Sequence, residues 1–314
     1  MEHIDDDIES FLQQVIREEQ EHDHDGTMSS FLEEIGITDK EMFGACVTGI
    51  NRKVRKAGNA DVVLPLESVS KALALAMALE DVGAEELFKY VGKEPRGEAF
   101  HSVTALEEGN KGVPSNPMIN AGGIAVTSMI KGANGDERFE RLRDFIRRLA
   151  DNPDIDYNHA MFEAEEKDLN RALFYYMRSH GVVSGSEEDS LLPYIKQTSI
   201  EMSCVDLSRI AAVFANQGKA PGSELQLIHP DNVRILLTLM FTTGMYQSSG
   251  EFAVDVGIPA KSGISGAILA VAPGRMGFGV IGPALDESGN SIAGVRILNK
   301  LCKRWKLAVF SDYL

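Results

Sequence analysis

The 314-residue chain is predicted to adopt an α+β fold, an antiparallel sheet flanked by helices with a mainly helical region inserted. Strand-like segments occur near both ends of the chain, and helical periodicity dominates the middle. The sequence has no internal repeat. Strands from both ends can then share one sheet, with the helical block leaving and returning to it. We expect the sheet from about residues 40–66 and 250–314, and the helical region from about 85–240.

The N-terminal strands are predicted from small and β-branched residues. The segment MFGACVTGI, which ends at Ile50, is typical of a strand, and the following NRKVRKAGNADVV is typical of a turn and a second strand. From Leu66 to about Ala84 the apolar residues recur at helical spacing, and Gly83 follows the last of them. We therefore expect a helix that ends near Gly83.

The C-terminal part combines a helix, a hairpin and a final helix. Leu207 to Ala215 has one apolar face, with Asp206 as its expected cap and Gly218 after its end. The segment GAILAVAPGRMGFGVIGP places two apolar runs around Pro273-Gly274-Arg275, which predicts a hairpin. A last helix is predicted from Ala293 to Ala308.

Residues 1–28 are predicted to form an acidic helical appendage, and residues 29–314 the main domain. Apolar residues at helical spacing alternate with acids in the appendage, and Gly26 is expected to end it. His22 and His24 lie among acids and could bind a metal weakly, but we favour a solvated tail.

Charge and cysteine content limit the possible partners. Lys plus Arg is 31 and Asp plus Glu is 47, so the formal net charge is -16, which argues against nucleic acid and anionic membranes as partners. No apolar run approaches the ~18 residues of a membrane span, and the acidic N-terminus is unlike a secretory signal. Cys46, Cys204 and Cys302 are far apart, so we expect free thiols in a cytoplasmic protein.

The first chemical motif is Ser68-Val69-Ser70-Lys71, at the start of the predicted helix. Residues i and i+3 share a helix face, so the lysine amine can reach the serine hydroxyl. Serine needs a base to act as a nucleophile, and a desolvated lysine can serve as that base. On its own the motif is weak, because Ser-x-x-Lys occurs by chance in many helices.

A second motif strengthens the first. Lys261-Ser262-Gly263 precedes the apolar run of the predicted hairpin, as the partner motif does in class A β-lactamases and penicillin-binding enzymes. A strand edge placed there can donate a backbone N–H to the oxyanion that forms during acyl transfer. The two motifs in this order suggest an acyl-transfer enzyme that uses a serine nucleophile.

From about Phe31 to Pro283 the sequence resembles the serine-dependent glutaminases. The resemblance is carried by VGKEPRGEAF, SNPMINAGGIAVTS, DLSRIAAVFANQG and, above all, GMYQSSGEFAVDVGIPAKSGISGAILAVAPGRMG. It implies a β-lactamase/transpeptidase-like fold, hydrolysis of L-glutamine to L-glutamate and ammonia through an acyl-enzyme, no metal and no organic cofactor. It also implies a homodimer or a homotetramer.

The resemblance assigns roles to individual positions. Ser68 matches the nucleophile and Lys71 its base, while Asn120 and Asn170 match substrate-binding residues. The matched residues that complete the pocket include two tyrosines, one of them close to the nucleophile, and an isoleucine whose N–H completes the oxyanion hole with that of the serine: Tyr194, Tyr246 and Ile264. Without the resemblance, the asparagine after the proline segment would be interpreted as a turn residue and the tyrosines as half-buried core.

The acidic pocket residue has two candidates. Glutamine carries an ammonium group, which calls for a carboxylate in the pocket. The family spacing of seven positions before Asn170 selects Glu163, whereas the residue types around Phe162 would select Glu165. We prefer Glu163, because the other choice requires a two-residue deletion.

Three departures from the family pattern leave alternatives open. Glu67 replaces a glutamine before the nucleophile, Phe31 replaces a tyrosine that closes the pocket, and Leu169 replaces an arginine. The leading hypothesis is a glutaminase. The alternatives are an acyl-serine amidohydrolase with a different amide substrate, and a binding or regulatory homologue with little turnover.

Overall fold

The computed structural model describes residues 7–22, 25–95, 106, 112–164 and 167–311. In chain order its first elements are α1 (Ile8–Gln20), α2 (Ser30–Glu34), β1 (Gly44–Gly49), β2 (Val54–Gly58), β3 (Leu64–Pro65) and α3 (Ser70–Leu87). The inserted region contains α4 (Asn120–Ser128), α5 (Gly135–Ala150), α6 (His159–Ala164), α7 (Asp168–Ser179), α8 (Glu187–Ser190), α9 (Leu192–Thr198), β4 (Glu201–Met202), α10 (Cys204–Ala215) and α11 (Pro230–Thr243). The C-terminal elements are α12 (Ser249–Asp255), β5 (Ala260–Ser262), β6 (Ala267–Ala272), β7 (Met276–Ile281) and α13 (Ile292–Trp305).

Strands from both ends of the chain form one five-stranded sheet in the order β2-β1-β7-β6-β5. All four pairings are antiparallel, and β1 joins β7 with Gly44 opposite Ile281. The predicted fold class is therefore confirmed, and so is the hairpin between β6 and β7. A separate pair, β3 with β4, joins the segment before α3 to the inserted region.

The central strands are buried on both faces. Every residue of β6 and β7 is buried, because α10 covers one face of the sheet while α1 and α13 cover the other. Helix α10 approaches β7 closely at Gly277 and Gly279. A Cβ added at Gly277 would lie 2.2 Å from the backbone nitrogen of Ala212, and one at Gly279 would lie 2.2 Å from the carbonyl oxygen of Cys204. The glycines of the MGFG run thus permit helix-on-sheet packing that side chains would prevent.

Gly83 ends a helix as predicted, whereas the cap of α10 differs from its prediction. Gly83 has the non-helical values φ 76° and ψ 162°, which interrupt α3 at this position, and a short helical stretch follows it to Leu87. Asp206 is not the cap of α10, because Ser203 occupies that position and accepts the Asp206 N–H. Asp206 instead closes a capping box by accepting the Ser203 N–H at 3.0 Å. Asp206 therefore contributes to the start of the helix as a member of the capping box, three residues after the cap.

Helix α1 packs on the body of the protein. Leu12 and Val15 are fully buried, and the buried Glu19 accepts from Lys300 of α13 at 3.0 Å. His22 is exposed just after this helix, and His24 lies outside the described residues. Among the residues described, no helix is long and apolar enough to cross a bilayer.

Candidate active site

Ser68 and Lys71 lie at the junction of a one-turn 3-10 helix, Glu67–Val69, with α3. Both side chains are buried, and Lys71 Nζ donates to Ser68 Oγ at 2.8 Å. Helical geometry accounts for the contact, since residues three apart lie on one face. The structure therefore brings together the nucleophile and base that the sequence predicts.

Two asparagines extend this contact into the inserted region. Asn120 is the first residue of α4, and its Oδ1 accepts from Lys71 Nζ at 2.6 Å. Asn120 Nδ2 donates to Oδ1 of Asn170, on α7, at 3.3 Å. A continuous row of polar groups thus runs from Ser68 to α7, through residues from distant parts of the sequence. The structure therefore brings both predicted asparagines close to Ser68 and Lys71, and their role in binding substrate stays a prediction.

Tyr194 and Lys71 both pack against Gly123. A Cβ added at Gly123 of α4 would lie 2.7 Å from Tyr194 Cε2 and 3.1 Å from Lys71 Cγ. Any side chain at this position would displace the lysine or the tyrosine. Gly123 is therefore a positioning residue that sequence reasoning missed, since a glycine in a helix carries no signal of what it contacts.

Tyr246 contacts Ser68 from a different part of the chain. Its hydroxyl donates to the carbonyl oxygen of Ser262 at 3.1 Å and makes side-chain contact with Ser68. The ring is partly exposed, but the hydroxyl end is buried. Burial raises the pKa of the phenol well above its ordinary value, and the Glu67 carboxylate raises it further. The phenol is thus protonated at neutral pH and can donate a hydrogen bond.

Lys261 is a second buried lysine of the site. Its Nζ lies 4.3 Å from the Tyr246 ring centroid and donates to the carbonyl oxygens of Gly244 at 3.1 Å and Ser262 at 2.6 Å. Burial, and then the nearby Lys71, lower the pKa of this ammonium group well below its usual range. The Lys-Ser-Gly motif pointed to this segment, but contact of its lysine with Tyr246 required the structure.

The backbone is strained at two residues close to Ser68. Glu67 and Tyr246 have φ values of 48° and 52°, in the left-handed region that non-glycine residues avoid. Such residues cost ~1–3 kcal/mol each and persist only where the surroundings hold them. Gly263 allows β5 to approach this turn, because an added Cβ would lie 2.6 Å from the Leu66 carbonyl oxygen. The packing therefore holds the residue before Ser68 in a conformation that the local sequence does not favour.

Ile264 follows that close approach and is tied to the N-terminal segment. Its carbonyl oxygen accepts from Ser29 Oγ at 2.7 Å. None of the hydrogen bonds found among the described residues uses the Ile264 N–H. The strand edge next to Ser68 thus has a backbone donor of the kind that an oxyanion requires.

The predicted acid is a solvent-exposed residue of the inserted region. Glu163 is exposed on α6, where no hydrogen bond between it and the Ser68 group is found in the described parts of the chain, and Glu165 lies outside the described residues. The choice between them stays a prediction. Of the three departures, Phe31 packs against the core, Leu169 is 42% exposed, and Glu67 is half-buried close enough to Tyr246 to affect its pKa.

The antiparallel sheet, the inserted helices and the buried Ser-x-x-Lys helix beside the Lys-Ser-Gly strand define a protein of the β-lactamase-like architecture. The glutaminase family model matches residues 26–310. The chain belongs to the glutaminase family of amidohydrolases.

Individual relatives agree with this assignment. The chain is 44% identical to a glutaminase of Alkaliphilus oremlandii over 95% of its length and 99% of the relative's. It is 45% identical to a glutaminase of Geobacillus thermodenitrificans, over 95% and 97% of the two chains. The crystal structure of a probable glutaminase of Bacillus subtilis superposes with a TM-score of 0.90 at 30% identity, covering 97% of this chain and 98% of that one.

Proposed function

We propose that this protein hydrolyses L-glutamine to L-glutamate and ammonia through an acyl-enzyme on Ser68. The observation that carries the proposal is the buried 2.8 Å contact between Ser68 Oγ and Lys71 Nζ. A serine hydroxyl is a poor nucleophile unless a neighbouring base removes its proton. The family relationship indicates glutamine as the amide.

Acylation follows from the arrangement around the nucleophile. Ser68 Oγ attacks the side-chain carboxamide carbon while neutral Lys71 takes the hydroxyl proton, and the carbonyl oxygen becomes an oxyanion. The backbone N–H groups of Ser68 and Ile264 are assigned to that oxyanion. The C–N bond then breaks, and the nitrogen leaves as ammonia after gaining a proton. Tyr246 is the proposed proton donor, since its phenol is protonated and contacts Ser68. The proton on Lys71 then replaces the one that the phenol gave up, so that Lys71 is neutral again before deacylation.

Deacylation repeats these steps with water. Lys71 removes a proton from water as its oxygen attacks the ester carbon, and Ser68 leaves with a proton returned to its oxygen. The products are glutamate and free enzyme. The same base and the same oxyanion donors serve both halves of the reaction.

Substrate recognition requires partners for the α-ammonium and α-carboxylate groups of glutamine. We assign the amide and phenol groups of Asn120, Asn170 and Tyr194 to the substrate, and the carboxylate of Glu163 to its ammonium group. The two asparagines already hydrogen-bond to each other and to Lys71. Substrate that binds to these asparagines would thus alter the hydrogen bonds of Lys71 directly.

One observation favours a second candidate, an acyl-serine amidohydrolase with a different amide. The half-buried Glu67 places a carboxylate near Tyr246, and a negative charge there repels the glutamine carboxylate. An amide with fewer negative groups would not meet this repulsion.

Ammonia release from glutamine and asparagine, together with the absorbance change of a chromogenic β-lactam, distinguishes these candidates. We expect turnover of glutamine that is lost in Ser68→Ala, and an acid-quenched sample whose Ser68 peptide carries the mass of a glutamyl group. Turnover of another amide in preference to glutamine would favour the second candidate. Glutamine turnover without a Ser68 adduct, and undiminished in Ser68→Ala, would exclude the serine mechanism.

The remaining features of the proposal follow from the family and the composition. We assign the catalytic domain to residues 29–314 and place the enzyme in the cytoplasm, where the buried free thiols of Cys46, Cys204 and Cys302 would stay reduced. We expect a homodimer or homotetramer, which sedimentation would test. No metal or organic cofactor enters the proposed reaction.

A further inference from the structure

A cavity of about 1050 Å³ lies outside the Ser68 site. It is bounded by the β1–β2 turn, the last turns of α5, the exposed side of α10 and the loop around residues 220–227. It shares no lining residue with the Ser68 site. Met77 of α3 lies at its floor, six positions beyond Lys71 on the same helix.

The charge of this cavity is opposite to that of the protein. The chain has a formal net charge of -16, yet arginines outnumber acids among the residues that line the cavity. The arginines are Arg52, Arg141, Arg147, Arg148 and Arg209, and the acids are Asp144 and Asp151. All the cationic residues of the lining are arginine, the side chain whose planar guanidinium binds carboxylates and phosphates in a bidentate manner.

Three of these arginines have carboxylate partners. Arg52 pairs with Asp151 at 2.5 Å, and Arg141 pairs with Asp81 at 2.8 Å. Arg147 contacts Asp144 at 3.3 Å and Asp156 at 3.8 Å. These pairs hold part of the wall in place and neutralise it.

The other two arginines have no carboxylate within 4 Å among the described residues. The half-buried Arg209, on α10, donates only to the carbonyl oxygen of Ala150, at 3.4 Å. The exposed Arg148, on α5, lies 5.9 Å from the ring centroid of Phe145. Two cationic groups from different helices thus face one cavity in an acidic protein, which favours an anionic occupant.

The rim of the cavity is conformationally strained. Arg52 and Asp151 have φ values of 70° and 51°, and they form the ion pair with each other. Gly222 packs against the first of them, since an added Cβ would lie 3.2 Å from Arg52 Cβ. Left-handed backbone at non-glycine residues clusters at sites of function, where the surroundings stabilise it.

The floor of the cavity is apolar and close to the core. Met77, Leu149 and Val213 are buried and line it, so an occupant would meet carbon below and guanidinium groups at the sides. A bare inorganic ion would leave this floor uncovered. A carbon skeleton with two or more acidic groups can cover the apolar floor and also pair with the guanidinium groups at the sides.

We propose that this cavity binds a small organic anion with at least two carboxylate or phosphate groups, held by Arg148 and Arg209. The full-length protein should bind citrate, as a probe of this class, in a saturable one-to-one manner. Acetate, at the same ionic strength, should bind at least tenfold more weakly, because it can engage only one guanidinium group at a time.

Calorimetric titration of variants at constant ionic strength tests the proposal. Arg209→Gln and Arg148→Gln should each weaken citrate binding about tenfold, the loss expected for one charge-assisted hydrogen-bonding group. Arg234→Gln is the matched control, because this arginine is exposed on α11 outside the cavity. The variant should bind citrate with the same affinity as the original protein. Circular dichroism and the unfolding temperature report whether each variant is folded.

The outcomes separate the possible sources of binding. Fructose 1,6-bisphosphate titrated in parallel with citrate shows whether phosphate esters or carboxylates are preferred, and tight saturable binding of either supports the proposal. Absence of saturable binding for both would overturn it. Equal losses in Arg234→Gln and Arg209→Gln would overturn it as well, since they would indicate only general charge attraction. Arg148→Gln keeps the test decisive if Arg209→Gln does not fold.

Discussion

The two walls of the Ser68 site differ in how firmly the structure holds them. The wall built from α3, β5 and the Tyr246 turn contains buried serine and lysine side chains and is held by hydrogen bonds of 2.6–3.1 Å. The wall built from α6 and α7 has Asn170 as its buried member, whereas Glu163 and Leu169 face solvent. The groups proposed to make and break bonds are thus fixed in advance, while the carboxylate proposed to bind the substrate ammonium group is exposed to solvent.

This difference suggests a division of labour. Catalysis requires donors and bases held within a fraction of an ångström, which a buried and strained turn provides. Recognition of glutamine, a zwitterion, can use side chains that adjust their positions when the substrate binds. Changes in the first wall should therefore lower kcat, and changes in the second should raise KM.

The largest effect is expected at the nucleophile and its base. Ser68→Ala and Lys71→Ala should each lower kcat about a thousandfold or more, because each group is ineffective without the other. Stopped assays of ammonia release, with circular dichroism to show that the variants are folded, measure this. Turnover of either pure variant within a few fold of the original would be incompatible with the proposed mechanism.

Tyr246→Phe should come next. It removes a protonated phenol that contacts Ser68, and we expect kcat to fall about a hundredfold with little change in KM, as is typical of a proton-transfer group. Tyr175→Phe is the matched control, because that tyrosine is 47% exposed on α7. If kcat/KM fell only because KM rose, the result would indicate that Tyr246 binds substrate and does not transfer the proton.

The second wall is tested with its two candidate acids. Glu163→Gln should raise KM for glutamine about tenfold and leave kcat nearly unchanged, because it weakens one charge-assisted contact to the ammonium group. Glu165→Gln, assayed in parallel, should have little effect. The reverse result would transfer the role to Glu165, and no effect in either variant would mean that the ammonium group binds elsewhere.

Glu67 joins the two walls, and its effect should be smaller. Glu67→Gln removes a negative charge that disfavours the substrate carboxylate and favours a protonated base, so kcat/KM should rise several fold. Since the base must be neutral to act, the acidic limb of the pH–rate profile should move to lower pH. Glu86→Gln, exposed near the end of α3, is the control. Identical profiles for all three proteins would mean that Glu67 has no part in catalysis.

The smallest effect is expected from reagents that act on groups the mechanism does not use. Chelators and thiol-blocking reagents should leave activity unchanged, since Lys71 supplies the base and the cysteines are buried outside the site. Activity assays before and after dialysis against EDTA, and after treatment with iodoacetamide, measure this. Loss of activity in EDTA with recovery on addition of one metal would contradict the expectation.

The sequence by itself determined the features that depend on short-range geometry. The spacing of Ser68 and Lys71 places them on one helix face wherever that helix lies in the fold. Alternation and turn residues likewise specify β1, β2 and the β6–β7 hairpin, because strand and turn preferences are local. Family resemblance then named Asn120, Asn170, Tyr194 and Tyr246 before their distances were known.

Only the tertiary structure decided which of these groups meet. Asn120 contacts both Lys71 and Asn170, and Lys261 lies over the Tyr246 ring, through helices and strands far apart in the chain. Gly123 became significant only because two other side chains converge on it. Such contacts arise when many apolar faces pack at once, and no local preference encodes their distances. The same holds for the arginine cavity, since its cationic residues come from three separate stretches of the chain.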